Sequence, residues 1–132
     1  MKSLLLSTLF ILSLSANAAD AFDAGAHFEK TCTVCHTIGG GDKIGPDLAG
    51  LSKRRKVEWI VKYVKYPAGM INGDAEEAGY EKPDAMAKKV YELYKPQMMA
   101  DQELDKAQVE AILKYIDSKK QEPKGKILKA LK

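Results

Sequence analysis

The run Cys32-Thr33-Val34-Cys35-His36 sets two thiols three positions apart, with an imidazole directly after them. On a helical turn, two such thiols can each add across one vinyl group of a haem. The adjacent imidazole is then held beneath the iron as its proximal ligand. A five-residue pattern also arises by chance, so other uses of the thiols have to be weighed. An exported CxxC can be a structural disulfide or a thioredoxin-like redox pair. The redox pair calls for a βαβ pattern around the motif, and none is visible. A structural zinc site needs about four ligands, whereas the whole chain offers two cysteines and two histidines. Covalent haem c, with its iron, is the chemistry that fits best.

The elements that must position this motif follow a leader. Lys2, a mostly apolar stretch over residues 4–14 and Ala16-Asn17-Ala18 read as a secretory signal peptide with a small-x-small cleavage site. The apolar run is short and broken by Ser and Thr, a poor membrane span; a retained N-terminal anchor is the alternative. The expected division is a signal peptide over 1–18, one all-α domain over 19–119 and a basic C-terminal tail over 120–132.

Four helical segments read from the sequence, and no strand does. The first, about 22–35, carries Ala24, Phe28, Cys32 and Cys35 along one stripe. A glycine-rich loop follows through Gly45-Pro46. The second, about 53–66, places Val57, Ile60, Val61 and Val64 at i, i+3, i+4, i+7, and Pro67 stops it. The third, about 83–95, opens with Pro83 in its first turn and points Met86, Val90, Leu93 and Tyr94 inward. The last begins at Asp105, whose N-cap pairs with Gln108 in a capping box, and buries Val109, Ile112, Leu113 and Ile116. Ile71-Asn72-Gly73-Asp74 reads as a turn, and the lysine-rich end beyond Ser118 as frayed.

Net charge is +3, from 21 Lys and Arg against 18 Asp and Glu. Its distribution says more than its size. Lys53-Arg54-Arg55-Lys56 with Lys62 and Lys65 makes one basic stretch, residues 119–132 another, and residues 74–81 are acidic. Nucleic acid is a poor partner for an exported chain in which no aromatic interleaving or binding motif accompanies the lysines, and none is expected.

An N-terminal helix ending in CxxCH, Gly45-Pro46-Asp47-Leu48, a methionine and a final amphipathic helix occur here in one order. That ordered set resembles class I cytochrome c, the small monohaem electron carriers, over residues 20–119. The resemblance implies a cytochrome c fold, about four short helices and long loops around one haem bound through Cys32 and Cys35. It implies His36 as the proximal ligand, its other ring nitrogen donating to a carbonyl of the Gly-Pro turn, that of Pro46. It places the distal methionine shortly before the last helix, where Met98-Met99-Ala100 stands without the family's proline. Counting back from Leu104 selects Met99, with Met98, then Met86, Met70 or no methionine, as alternatives. Trp59 is either a donor to a haem propionate, as in some relatives, or a packed core residue. Phe28 and Tyr115 match the family's helix crossing, whose glycine falls at Ala24, with Gly25 one place later. His27 reads as a surface residue.

The function implied is a periplasmic one-electron carrier, not an enzyme, that cycles Fe(III)/Fe(II) and acts as a monomer. Redox protein donors and acceptors with acidic docking surfaces would suit the basic helix. One alternative is the small haem subunit of a periplasmic oxidoreductase complex, docking on a partner or an anionic membrane through the amphipathic piece 125–132. More often such a tail is disordered. Another is a gas-binding or peroxidatic haem protein with a labile distal position.

Overall fold

The computed structural model describes residues 21–73 and 79–130, which hold seven short helices and no strand. The expected signal peptide over 1–18 and the acidic pair Glu76-Glu77 lie outside the described residues. Among the described residues no helix is long and apolar enough to cross a membrane.

Helix α1 (Ala24–His27) starts where the Asp23 carboxylate accepts the Ala26 N–H at 2.9 Å. Its last turn widens into a π-turn, Phe28–Cys32, closed by the Thr33 N–H on the Phe28 carbonyl. The loop over 37–50 then leads to α2 (Leu51–Arg54), α3 (Val57–Lys65) and α4 (Pro67–Asn72). After the acidic segment come α5 (Ala85–Tyr94), α6 (Lys106–Ser118) and α7 (Ile127–Ala130).

Helix α6 organises the packing because its apolar stripe is wide enough to serve two partners. Ile112 and Ile116 lie against Phe28, with Cys32, Leu48 and Tyr115 at the edge of that cluster. Val109 and Leu113, turned toward the other side, lie against Ile60 of α3. The Asp105–Gln108 capping box fixes where this stripe begins, by reciprocal bonds of 2.8 and 3.0 Å. At the crossing with α1, Gly25 takes the place expected of Ala24. A Cβ on Gly25 would come within 2.9 Å of the Tyr115 ring, so only glycine lets the two helices meet there. Phe28 and Tyr115 rings stand 5.6 Å apart beside it.

Five expectations need correction. The single helix over 53–66 is two, separated at Arg55 and Lys56, both extended. Four consecutive cations repel along one turn, and Arg54 turns its guanidinium inward to the Asp47 carbonyl, 3.0 Å away. Pro67 does not simply stop a helix; it occupies the first position of α4, where its missing N–H costs nothing. Ile71 and Asn72 belong to that helix, and the turn starts only at Gly73, whose φ of 70° caps it. Likewise α5 begins after Asp84, which accepts N–H bonds from Met86 and Ala87, so Pro83 precedes the helix.

The last correction concerns the tail. Residues 121–130 are neither frayed nor a free docking arm. Ile127 and Ala130 are buried against Tyr94, with Met86, Val90 and Leu93 packed around them. Those α5 residues do face inward as expected, but the surface they meet is α7.

Because Ile116 is buried and central to the α1–α6 contact, Ile116→Ala should cost about 2–5 kcal/mol in denaturant unfolding of the holoprotein. Leu128, exposed on α7, should tolerate alanine within about 0.5 kcal/mol.

Candidate functional site

The motif is wound so that its chemistry converges. The N–H groups of Cys35 and His36 both bond the Cys32 carbonyl, at 3.1 and 2.9 Å, which brings the two thiols and the imidazole onto one turn. Burial raises the Cys32 thiol to about 11, so it stands protonated at neutral pH. The two cysteines are not joined to each other, and each is half-buried.

His36 is held by the turn that follows it. Its Nδ1 lies 2.8 Å from the Pro46 carbonyl oxygen, which as an acceptor requires the proton on Nδ1. Nε2 is thereby left with its lone pair for a metal. Burial lowers the imidazole's tendency to take a second proton, and the bond to Pro46 acts in the opposite sense. Gly45 is needed for this approach. A Cβ there would sit 2.6 Å from the His36 Cε1.

Beneath the turn lies Asp47, a fully buried carboxylate. It accepts N–H bonds from Gly39 at 2.8 Å, Gly41 and Ala49 at 2.9 Å, and Lys124 at 3.2 Å. Burial alone would raise its carboxyl. The four N–H donors outweigh that and hold it below the ordinary carboxylate range. Asp47 therefore shapes the loop from inside, and the adjacent Pro46 carbonyl is aimed at His36 as a result. No motif reading singles out Asp47 for this role; its burial and its donors are visible only once the loop is folded.

The methionines separate by environment. Met70 is buried with Ile71, Tyr80 and Ala87, and Met86 packs toward α7. Of the adjacent pair, Met98 is 40% exposed and Met99 half-buried. Trp59 stacks on Tyr63 at 5.1 Å and lies under the Arg55 guanidinium at 5.6 Å. Arg54 and Arg55 are thus structural in part, and the exposed cations of the basic stretch are Lys53, Lys56, Lys62 and Lys65. His27 departs from expectation. It is half-buried beside the Phe22 ring, and its Nε2 is buried without a partner among the described residues.

A family model described as Cytochrome c matches residues 23–120. The chain belongs to the cytochrome c family. It is also similar to the cytochrome c domain of the pp3183 protein from Pseudomonas putida, with 28% identity and a TM-score of 0.54. That likeness covers 74% of this chain and 87% of the other. No curated protein matches the sequence. Membership brings a covalent haem c with its iron, bound through Cys32 and Cys35, and haem-based electron transfer as the activity.

The residues of this cytochrome fit that group. The apolar side chains gather in four small clusters rather than one core, and a flat apolar group would add apolar surface for them to pack against. Arg54 Nε is buried without a partner among the described residues. A buried guanidinium N–H without an acceptor suits an anionic carboxylate such as a propionate. Val34, within the motif, and Ile44, beside Gly45, are exposed apolar residues, 59% and 47% accessible.

Asp47 carries a pH signature. A carboxyl with a depressed folded value stabilises the protein fully above its unfolded value, near 4. The contribution is lost as pH falls through the folded value. Asp47→Asn should therefore cost roughly 2–4 kcal/mol at pH 7. The gap to wild type should stay constant down to about pH 5 and close below about pH 4, as read by denaturant unfolding at each pH.

Proposed function

We propose that the protein is a periplasmic one-electron carrier whose iron is ligated by His36 and Met99. The observation that carries this reading is the 2.8 Å contact between His36 Nδ1 and the Pro46 carbonyl. It fixes the tautomer, raises the basicity of Nε2 and removes the ring's freedom to swing away from the metal. Bound through the two thiols, the haem supplies an iron that accepts and returns one electron. The chain's part is to keep the two ligands in place in both states and to leave one edge accessible. Met99 is the better inward ligand of the pair because it is half-buried whereas Met98 is the more exposed, at 40%. A thioether favours Fe(II) and raises the potential, which suits a carrier. Trp59, fixed between Tyr63 and Arg55, is a candidate donor to a propionate. The periplasmic assignment rests on the leader pattern of residues 1–18.

Lys53, Lys56, Lys62 and Lys65 are exposed along α2 and α3, and they suit weak, fast encounters with partners that present carboxylates. The subunit reading drew its support from the amphipathic tail. Ile127 and Ala130 use the apolar face of that tail inside the molecule, so the carrier reading is favoured over docking through it.

A carrier held by two protein ligands should give a reversible one-electron potentiometric titration, and its reduced form should bind no carbon monoxide at neutral pH. Ready binding would replace the carrier by the gas-binding or peroxidatic reading. Lys53→Glu with Lys56→Glu should slow reduction by an acidic redox partner several-fold at low ionic strength and by little at high salt. An unchanged rate at low salt would remove steering by this helix.

A further inference from the structure

The C-terminal strap joins the two halves of the site. Leaving α6, residues 121–126 run back along the loop that follows His36. The Lys124 N–H bonds Asp47 and the Lys126 N–H bonds Asp42 Oδ2 at 2.8 Å. Gly125 lies directly against the Asp42 carboxylate with φ of 93°, so that no side chain fits between them. The other oxygen of Asp42 accepts the Tyr94 hydroxyl at 2.7 Å. Tyr94 is the last residue of α5, five positions before Met99, and α7 packs on the same residue. The far end of that segment is pinned separately, by the Gln102 N–H on the Val64 carbonyl at 2.8 Å.

We propose that Asp42 is a positioning residue for the distal ligand. It ties the loop that orients His36 to the root of the segment carrying Met99, and the strap 121–130 holds it there. The proposal rests on the reading of Met99 as that ligand. Its physical content is an anchoring one. Met98-Met99-Ala100 carries no proline of its own; Pro96 stands on its Tyr94 side, and on the other side the Gln102 side-chain amide donates to the Ala100 carbonyl at 2.9 Å, so the Tyr94 anchor is one of the few ties that hold Met99. Releasing the Tyr94 end lets the thioether leave the iron more often, and an external ligand then competes with a smaller obstacle. Asp42 touches neither the iron nor its ligands; it acts through Tyr94.

The test is imidazole titration of the ferric holoprotein at neutral pH, followed in the Soret region. The set is wild type, Met99→Ala, Asp42→Asn, Tyr94→Phe and a chain ending at Glu122. Val109→Ala, a core change in the α3–α6 cluster, serves as a control for general loosening. Met99→Ala should bind imidazole tightest. Asp42→Asn and the shortened chain should bind about tenfold more tightly than wild type. Tyr94→Phe, which deletes a single hydroxyl, should shift the same way and keeps the test available if the shortened chain does not fold. Val109→Ala should match wild type. Wild-type affinity in both Asp42→Asn and Tyr94→Phe, or an equal gain in Val109→Ala, would overturn the positioning role. If wild type and Met99→Ala bind imidazole alike, Met99 is not the ligand and the proposal falls with that reading.

Discussion

The structure depends on one hydrogen bond, from the His36 imidazole to the Pro46 carbonyl, and on the buried carboxylate that makes it possible. A proximal histidine must offer one nitrogen, in one tautomer, in one direction. The backbone around it meets that demand with two residues of opposite character. Gly45 provides room for the ring and Pro46 a carbonyl on a stiff turn. Asp47 then locks the turn by collecting four N–H groups from three parts of the chain. Burying a carboxylate is costly unless its lone pairs are used, and here they are used to set the loop's shape.

Asp47 links the site to distant parts of the fold through its backbone as well as its side chain. Arg54 bonds the Asp47 carbonyl from α2 and Lys124 bonds its side chain from the C-terminal strap. Asp42 repeats the arrangement with Tyr94 and Lys126. The glycine-rich loop is therefore a hub, joined to the helix before Trp59, to α5 and to the chain's end. Helix α6 supplies the apolar counterpart, with one stripe serving α1 and α3 together. A small domain with its apolar residues in separate clusters gains from such polar ties, and from a prosthetic group that adds to the native state's stability.

What the sequence revealed about this fold was local. The CxxCH motif, the Gly45-Pro46 turn and the Asp105 capping box each occupy a few adjacent residues and can be read there, although what locks the turn, the Asp47 carboxylate with its remote Lys124 donor, cannot. Features built from remote partners were not legible. The break between α2 and α3 goes with the reach of Arg54 to the Asp47 carbonyl, a contact that the sequence does not display. The order of residues 121–130 exists because Lys124 and Lys126 meet carboxylates 77 and 84 positions away. A lysine-rich tail read alone looks solvated; with Ile127 and Ala130 seated on Tyr94 it is part of the core. His27 was misread for a related reason, since helical spacing does not show that Phe22 folds back over its ring.

The most direct test of the central claim is the absorption spectrum of the ferric holoprotein in the long-wavelength region where a methionine–iron charge-transfer band falls. Wild type, Met98→Ala and Met99→Ala should be compared at neutral pH. The account predicts a band in wild type and in Met98→Ala, and its loss in Met99→Ala. A band that survives in Met99→Ala, or is absent from wild type, would contradict a His36–Met99 pair holding the iron.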